Sequence, residues 1–188
     1  MNRRSLAMLT LCLGTLMIVL DTTIVNVALP SIKADLHFDD ANLAWVVNAY
    51  LLTFGGFLLF GGRLGDWYGQ RKLFLIGMVA FTLASLACGL ATSQGTLIVA
   101  RAVQGVGGAV VEAVALSMVM AMYVEPAERA KAMGVYGFVA AGGGALGVVA
   151  GGILTQAFSW HWTFLVNVPV GLVVFLMALK YLPKHEVA

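Results

Sequence analysis

Six apolar stretches, each long enough to cross a bilayer, constrain the fold of this chain more than any other feature. A helix needs about 20 predominantly apolar residues to span the hydrocarbon core. The stretches cover residues 6–29, 41–62, 72–92, 96–123, 130–157 and 162–182. Since 61% of the residues are hydrophobic and 11% are charged, the sequence predicts an all-α membrane protein with six transmembrane helices.

The distribution of basic residues predicts how these helices are oriented. One side of the predicted bundle holds Arg3, Arg4, Arg63, Arg71, Lys72, Arg129, Lys131, Lys180 and Lys184. The other side holds Lys33 among Asp35, Asp39 and Asp40. Because cytoplasmic loops carry the excess of Lys and Arg, both termini are predicted to be cytoplasmic. An aromatic belt is then expected from Trp45, Trp160 and Trp162 at the outer boundary and from Trp67 and Tyr68 at the inner one.

Composition and motifs also exclude several classes of function. The net charge of +2 is too small to indicate a nucleic-acid partner, and both cysteines lie within apolar stretches, away from metal-ligand residues. Gly105-Val106-Gly107 begins like a dinucleotide-binding loop, but Val110 breaks the pattern and the segment lies inside a predicted membrane helix. Without a nucleophile elbow or a Walker loop, we expect no enzyme activity, no metal and no cofactor. Energy would then come from a proton gradient.

A glycine pattern in the fifth stretch predicts close packing between two helices. Gly143, Gly147 and Gly151 recur every four residues, and such small-residue spacing lets membrane helices approach closely. The full pattern consists of Gly134, Gly143, Gly147, Gly151 and Gly152. It resembles the fifth-helix antiporter motif of drug:proton antiporters in the major facilitator superfamily. Val148 stands where that motif usually has proline, and a generic helix-packing face is the alternative interpretation.

The segment between the second and third stretches, GRLGDWYGQRK, resembles the cytoplasmic loop motif of the same superfamily. The matching positions are Gly62, Asp66, Gly69, Arg71 and Lys72, whereas Trp67 and Gln70 replace residues that are commonly basic. We expect a tight two-glycine turn in which Asp66 caps free N–H groups and the basic pair faces anionic lipid. In the family this loop latches the cytoplasmic side in one state of the transport cycle.

Two charged residues in the membrane stretches resemble the proton-coupling machinery of that family. Asp21 lies in LDTTIVNVALP, similar to the first-helix motif of fourteen-span drug:proton antiporters, and Arg101 lies in ARAVQGVGG, similar to the fourth-helix motif. At a rise of about 1.5 Å per residue, Arg101 is about 7 Å and Asp21 about 13 Å below the outer ends of their spans. We hypothesise that the two form a proton-coupling pair; a static structural pair is the alternative.

Glu112 follows Arg101 by eleven residues, which places it on the same helix face as Gln104 and Gly108. Typical relatives have small or apolar residues at this position. The carboxylate could take part in proton coupling as a second site, bind a cationic substrate, or snorkel toward cytoplasmic water. The candidates for lining a substrate cavity are Asn26, Asn48, Tyr50, Gln104 and Glu112, because polar side chains in membrane helices need a cavity or a neighbouring helix.

Together the motifs identify residues 1–188 as resembling the amino-terminal six-helix half of a drug:proton antiporter. The resemblance implies efflux of small amphipathic or drug-like molecules across a bacterial cell membrane, in exchange for protons. The binding site in such folds lies near the midplane between two halves, so we expect a second six-helix half or a homodimer partner besides membrane lipid. The alternatives are a non-transporting truncated domain or interaction subunit, and a uniporter or symporter on the same fold.

Overall fold

The computed structural model describes residues 1–184, which form seven helices. They are α1 (Arg3–Leu36), α2 (Asp40–Tyr68), α3 (Gln70–Gly89), α4 (Gln94–Met122), α5 (Pro126–Ala157), α6 (His161–Leu165) and α7 (Asn167–Tyr181). Six rods are long and apolar enough to cross a membrane, with α6 and α7 together forming the sixth. The predicted all-α fold with six spans is therefore confirmed. Within residues 1–184 there is no β-strand.

The rods alternate in direction, so the bundle has two chemically distinct ends. We call the end that holds Arg3, Gly69 and Tyr181 the basic end, and the end that holds Leu36 and Gln94 the acidic end. Contacts across the bundle join the elements at each end: Arg3 donates to the carbonyl of Lys180, and Gln94 Nε2 donates to that of Leu36. Which end faces the cytoplasm stays a prediction.

The helices pack in an uneven pattern. The most extensive contacts are those of α4 with α2 and α3, and those of α1 with α5. By contrast, α4 and α5 touch only slightly, while α7 contacts both α1 and α3. An apolar cluster that includes Phe74, Met78 and Val111 fills the space between α3 and α4. As a result, α2 and α5 each bury only a narrow face in this chain.

The first rod is longer than the sequence predicted. The apolar stretch was expected to end at residue 29, next to Pro30, but α1 continues as a helix to Leu36. A proline is tolerated within a membrane helix where neighbouring elements pack against it, and Ile32, two residues later, is fully buried. The helix finally ends at His37, which adopts the left-handed conformation with φ 58°.

The sixth rod is interrupted rather than gently kinked. α6 ends at Leu165 and α7 begins at Asn167, four and two residues before Pro169 respectively. Proline lacks the N–H that would bond to the carbonyl four residues earlier, and its ring clashes with that carbonyl. The position four residues before Pro169 is Leu165. The nearby carbonyl of Phe164 accepts a hydrogen bond from Ser85 Oγ at 2.7 Å, which links α6 to α3.

The glycine pattern of α5 forms a packing surface against α1. A Cβ atom added at Gly143 would lie 3.0 Å from Leu16, one at Gly151 would lie 3.1 Å from the Ile24 carbonyl, and one at Gly147 would overlap Thr23. The predicted close packing is therefore confirmed for these three glycines.

The two outermost glycines do not take part in this contact. Nothing lies within 4 Å of a Cβ added at Gly134 or Gly152, so these two glycines of the motif lie outside the packing surface. Val148, in the place of the usual proline, is 56% exposed on another face. With valine there, α5 continues unbroken to Ala157.

The loop motif between α2 and α3 is mostly helical, in contrast to the predicted two-glycine turn. Gly62 and Asp66 both lie within α2, and Gly69 alone joins the two helices, with φ 100°. This backbone conformation favours glycine, and one such residue is enough to separate the helices. Gly69 is also the N-cap residue of α3, so the expected capping role of Asp66 is wrong.

Arg71 and Lys72, the basic pair of this motif, lie in different environments. Arg71 Nη2 donates to the carbonyl of Leu179 at 2.8 Å, which ties the start of α3 to the last turn of α7. Lys72 is exposed, as a contact with lipid would require, and its contact with anionic lipid stays a prediction.

One expected belt residue lies inside the bundle. Trp45, Trp162, Trp67 and Tyr68 are exposed, as the predicted belts require. Trp160 is only 3% exposed, and its indole Nε1 donates to Asp35 Oδ2 at 2.8 Å. It therefore fastens α1 to the segment before α6 instead of facing lipid, because a buried indole N–H needs an acceptor.

The glycine surface of α5 yields a stability test. We expect Gly147→Ala to lower the free energy of unfolding by about 1–3 kcal/mol, the usual cost of overpacking, because its Cβ has no room against Thr23. Gly144→Ala is the matched control: its Cβ meets nothing within 4 Å, and alanine favours a helix over glycine by roughly 1 kcal/mol. Thermal unfolding followed by circular dichroism in detergent measures both. Equal effects of the two variants would contradict the packing.

Candidate functional site

A buried ion pair lies at the centre of the bundle. Arg101 Nη1 is 2.8 Å from Asp21 Oδ2, and the two side chains are 1% and 0% exposed. Asp21 lies in the middle of α1, and Arg101 lies in the half of α4 nearer the acidic end. The long arginine side chain closes the difference in depth, so the contact predicted from the sequence is present. Its role in proton coupling stays a prediction.

The Asp21 carboxylate is surrounded by hydrogen-bond donors. Besides Arg101 on Oδ2, its Oδ1 accepts from Gln104 Nε2 at 3.2 Å and from Asn167 Nδ2 at 3.0 Å. An ionised carboxylate only accepts hydrogen bonds, and those from charged donors are the strongest. Three donors, one of them a cation, make this arrangement well suited to the charged form of Asp21.

Arg101 is held by groups from several helices. Its Nε donates to the carbonyl of Val46 at 2.8 Å, and its Nη1 also donates to Gln104 Oε1 at 2.8 Å. The guanidinium carbon lies 4.2 Å from the ring centre of Tyr50 and 5.7 Å from that of Phe164. Such stacking favours arginine over lysine, whose ammonium is a point charge. Arg101 therefore connects α4 to α1, α2 and α6.

A glycine in α4 allows Tyr50 to reach Arg101. A Cβ atom at Gly105 would overlap Thr53 Oγ1 and the Tyr50 carbonyl. Thr53 Oγ1 in turn donates to the carbonyl of Ala102 at 2.7 Å across the same interface. Because α2 lies this close to α4, the ring of Tyr50 stacks on the guanidinium.

The site also contains residues that the sequence analysis did not select. Asn167 is the first residue of α7, and its Nδ2 donates both to Asp21 and to Ser85 Oγ, the latter at 3.0 Å. Ser85 donates onward to the Phe164 carbonyl. The signal that could have found Asn167 is an amide two residues before a proline in a membrane span, since the helix break leaves polar backbone groups there that need partners.

The remaining predicted cavity residues divide between buried and exposed positions. Tyr50 and Gln104 are buried in the cluster around Arg101. Asn26 and Asn48 are exposed and do not join it, so their role in lining a cavity stays a prediction. No three His, Cys, Asp or Glu side chains in residues 1–184 are placed to share a metal ion.

Glu112 forms a second, separate polar cluster. Its Oε1 accepts a hydrogen bond from the Tyr136 hydroxyl at 2.5 Å, and that hydroxyl accepts one from Thr15 Oγ1 at 2.8 Å. The other oxygen, Oε2, is buried and has no hydrogen-bond partner. Glu112 is half-buried, and its carboxyl group lies where α4, α5 and α1 meet. Tyr136 directs the Glu112 carboxyl group toward α5 in this conformation, and snorkelling toward water stays a prediction.

Comparisons with known proteins agree with this architecture. The sequence profile of the Major Facilitator Superfamily matches residues 11–188. A puromycin resistance protein of Streptomyces alboniger is 46% identical over 184 residues, and a cephamycin export protein of Amycolatopsis lactamdurans is 47% identical over 176. These alignments cover 98% and 94% of this chain but only 36% of each relative. A riboflavin transporter of Clostridioides difficile is 36% identical, over 98% of this chain and 40% of the relative.

Solved structures show the same fold at low sequence identity. A proton:xylose symporter superimposes with a TM-score of 0.82 at 16% identity, covering 94% of this chain and 44% of that protein. A bacterial homologue of the lysosomal transporter Spinster gives a TM-score of 0.78 at 22% identity, covering 98% of this chain and 45% of that protein.

The ion pair yields a second stability test. We expect Arg101→Ala to cost about 3–5 kcal/mol, because it leaves Asp21 charged and buried without its cation. Adding Asp21→Asn to Arg101→Ala should recover part of that loss, since no lone charge remains. Thermal unfolding of the single and double variants completes a double-mutant cycle.

Lys33→Ala is the control for this cycle. It removes a cation whose partner, Asp40, is exposed, and exposed ion pairs contribute little. Strictly additive losses from Asp21→Asn and Arg101→Ala would contradict a coupled pair.

Proposed function

This chain belongs to the major facilitator superfamily, and we propose that it is the amino-terminal half of a proton-coupled exporter of drug-like molecules. As a member with six membrane-length rods, it is a multi-pass protein of the cell membrane. The names of its relatives support export as the direction of transport, with puromycin and cephamycin as substrate chemistries to test. The chain spans 36% of the length of those relatives, so the proposal includes a further partner that completes the transporter.

The observation that carries the proposal is the Asp21–Arg101 pair. A carboxylate that loses its cation inside an apolar bundle becomes costly, and it lowers that cost by binding a proton. If Arg101 moves away from Asp21 when the transporter changes conformation, Asp21 binds a proton; when the pair forms again, the proton is released. Proton binding is then linked to one of two conformations, which is the requirement for coupling.

The surroundings of the pair explain how a conformational change could reach it. Arg101 is held by the backbone of α2 through Val46, and Asp21 is held by Asn167 at the break between α6 and α7. A movement of either element relative to α4 removes a hydrogen bond from the cluster. The site therefore responds to the positions of several helices.

The exposed faces of α2 and α5 are where we expect a second six-helix unit to dock. Large apolar side chains that are exposed on these faces include Leu52, Leu59, Phe138, Leu146 and Ile153. The second unit is either the carboxyl-terminal half of the transporter or a second copy of this chain, and lipid covers the remaining apolar surface. In the superfamily, halves are related by an axis along the membrane normal, and substrates bind near the midplane between them.

Other transport modes on this fold give different proton movements. One solved structure with the same fold is that of a proton:xylose symporter, and uniport is the third mode. In everted vesicles with an acidic interior, antiport of an added compound removes protons from the interior, symport of that compound carries protons inward, and uniport leaves the pH gradient unchanged.

The deciding experiment uses everted vesicles from cells that carry each variant in the chromosomal gene, with puromycin and a cephamycin as probes. We expect both wild type and Asp40→Asn to collapse part of the pH gradient when a transported probe is added. Asp40→Asn makes the same chemical change at an exposed position. Asp21→Asn should abolish this signal, because the amide cannot bind and release a proton. Unchanged proton flux with Asp21→Asn would reject the proposal.

A further inference from the structure

We propose that Glu112 is a second proton-binding residue, with Tyr136 and Thr15 as its positioning residues. Its use in transport rests on the proposed proton-coupled function. Its chemistry, the binding and release of a proton inside the bundle, is a separate claim with its own readout.

Three helices hold Glu112 in one orientation. Thr15 of α1 donates to the Tyr136 hydroxyl oxygen, and Tyr136 of α5 donates its only hydroxyl proton to Glu112 Oε1 on α4. Tyr136 is 7% exposed and Glu112 is half-buried, so the Thr15–Tyr136 part of this chain of hydrogen bonds lies inside the bundle. All the donors point the same way, toward the carboxyl group.

The second carboxyl oxygen decides the charge state. Oε2 is buried without a hydrogen-bond partner, and Glu112 forms no ion pair with any residue from 1 to 184. An ionised carboxylate with one donor and no cation is costly in an apolar interior. A neutral acid fits better: Oε1 is the carbonyl oxygen that accepts from Tyr136, and Oε2 carries the proton.

The groups around Glu112 do not supply a compensating charge. The titratable neighbours are Tyr136 from α5, Cys12 from α1 beside Tyr136, and Tyr50 from α2, all uncharged side chains. α3 packs against the adjacent face of α4 through apolar groups such as Phe81. The cation on α4, Arg101, is already paired with Asp21. Glu112 therefore differs from Asp21, which has three donors.

The two carboxyl groups lie at different depths. Eleven residues separate Arg101 from Glu112, which is about 16 Å along α4. Tyr50 lies between the two clusters, because its ring stacks on Arg101 and its unpartnered hydroxyl is 3.0 Å from a Cβ placed at Gly108, one turn before Glu112. Glu112 is thus placed to exchange protons nearer the basic end than Asp21.

Proton release and uptake at Glu112 each involve a single O–H bond at Oε2. On release, the O–H bond at Oε2 breaks, the proton passes to a water molecule, and the carboxylate keeps the electron pair and the hydrogen bond from Tyr136. On uptake, the same bond forms again with a proton from water. Substitution of Tyr136 by phenylalanine removes the one donor that stabilises the charged form.

Infrared spectroscopy tests this charge state without any transport substrate. We expect the wild-type protein, in its own membranes, to show the carbonyl stretch of a buried protonated carboxylic acid that is lost in Glu112→Gln. Glu128→Gln should keep the band, because that glutamate is exposed and paired with Arg4. Tyr136→Phe should keep the band but shift its frequency, because the hydrogen bond to the carbonyl is gone. Identical spectra of wild type and Glu112→Gln across the pH range would overturn the proposal.

A transport readout separates this inference from the proposed function. Glu112→Gln should lower net proton-driven export by at least about tenfold, as expected for loss of a positioned proton-transfer group, while substrate exchange without net proton movement persists. If Asp21→Asn abolishes proton flux and Glu112→Gln changes neither spectrum nor flux, the inference fails and the proposed function stands. If Glu112→Gln removes the band but Asp21→Asn leaves proton flux intact, the inference about the charge state of Glu112 stands and the proposed function fails.

A cation-binding role for Glu112 is a further outcome that would overturn the inference. Tetraphenylphosphonium, a permanent cation, is the probe. An unchanged infrared spectrum combined with selective loss of tetraphenylphosphonium export in Glu112→Gln would assign the residue to cation binding instead.

Discussion

The ion pair between Asp21 and Arg101 is the interaction on which the rest of the bundle depends. Two charges removed from water in a membrane protein are tolerated only where geometry is good and the other polar atoms are satisfied. Here Val46, Gln104 and Asn167 meet that requirement from three helices. Each of these contacts needs a backbone feature: α2 must approach α4 closely, and the last rod must break near its acidic end. The positions of the helices and the hydrogen bonds to the ion pair therefore depend on each other.

The carboxyl groups of Asp21 and Glu112 have different environments in this fold. Asp21 accepts from three donors, one of them charged, whereas Glu112 accepts from a single phenol and leaves one oxygen unpartnered. The number of donors, rather than the depth or the type of acid, distinguishes them. Asp21 therefore has a cation and two amide donors around it, whereas Glu112 has one phenol.

Sequence patterns predicted the features that depend on one helix at a time. Apolar length gave the six spans, and helical rise placed Asp21 within reach of Arg101. Features that depend on how two helices meet were not predictable in this way. Asn167 joins the site because the chain breaks before Pro169, and Trp160 is buried because Asp35 lies where its indole can reach. Likewise, Gly69 alone separates α2 from α3, so residues expected in a turn became helix.

The uneven packing of the helices has a mechanical consequence. α2, α3 and α4 form one tightly packed group, α1 and α5 form another, and α4 touches α5 only slightly. Both acidic clusters bridge the boundary: Asp21 and Tyr136 belong to one group, and Arg101 and Glu112 belong to the other. Glycines on the α5 face toward α1 let these two helices pack closely. A proton gained or lost at either cluster would therefore act on contacts that join the two groups of helices.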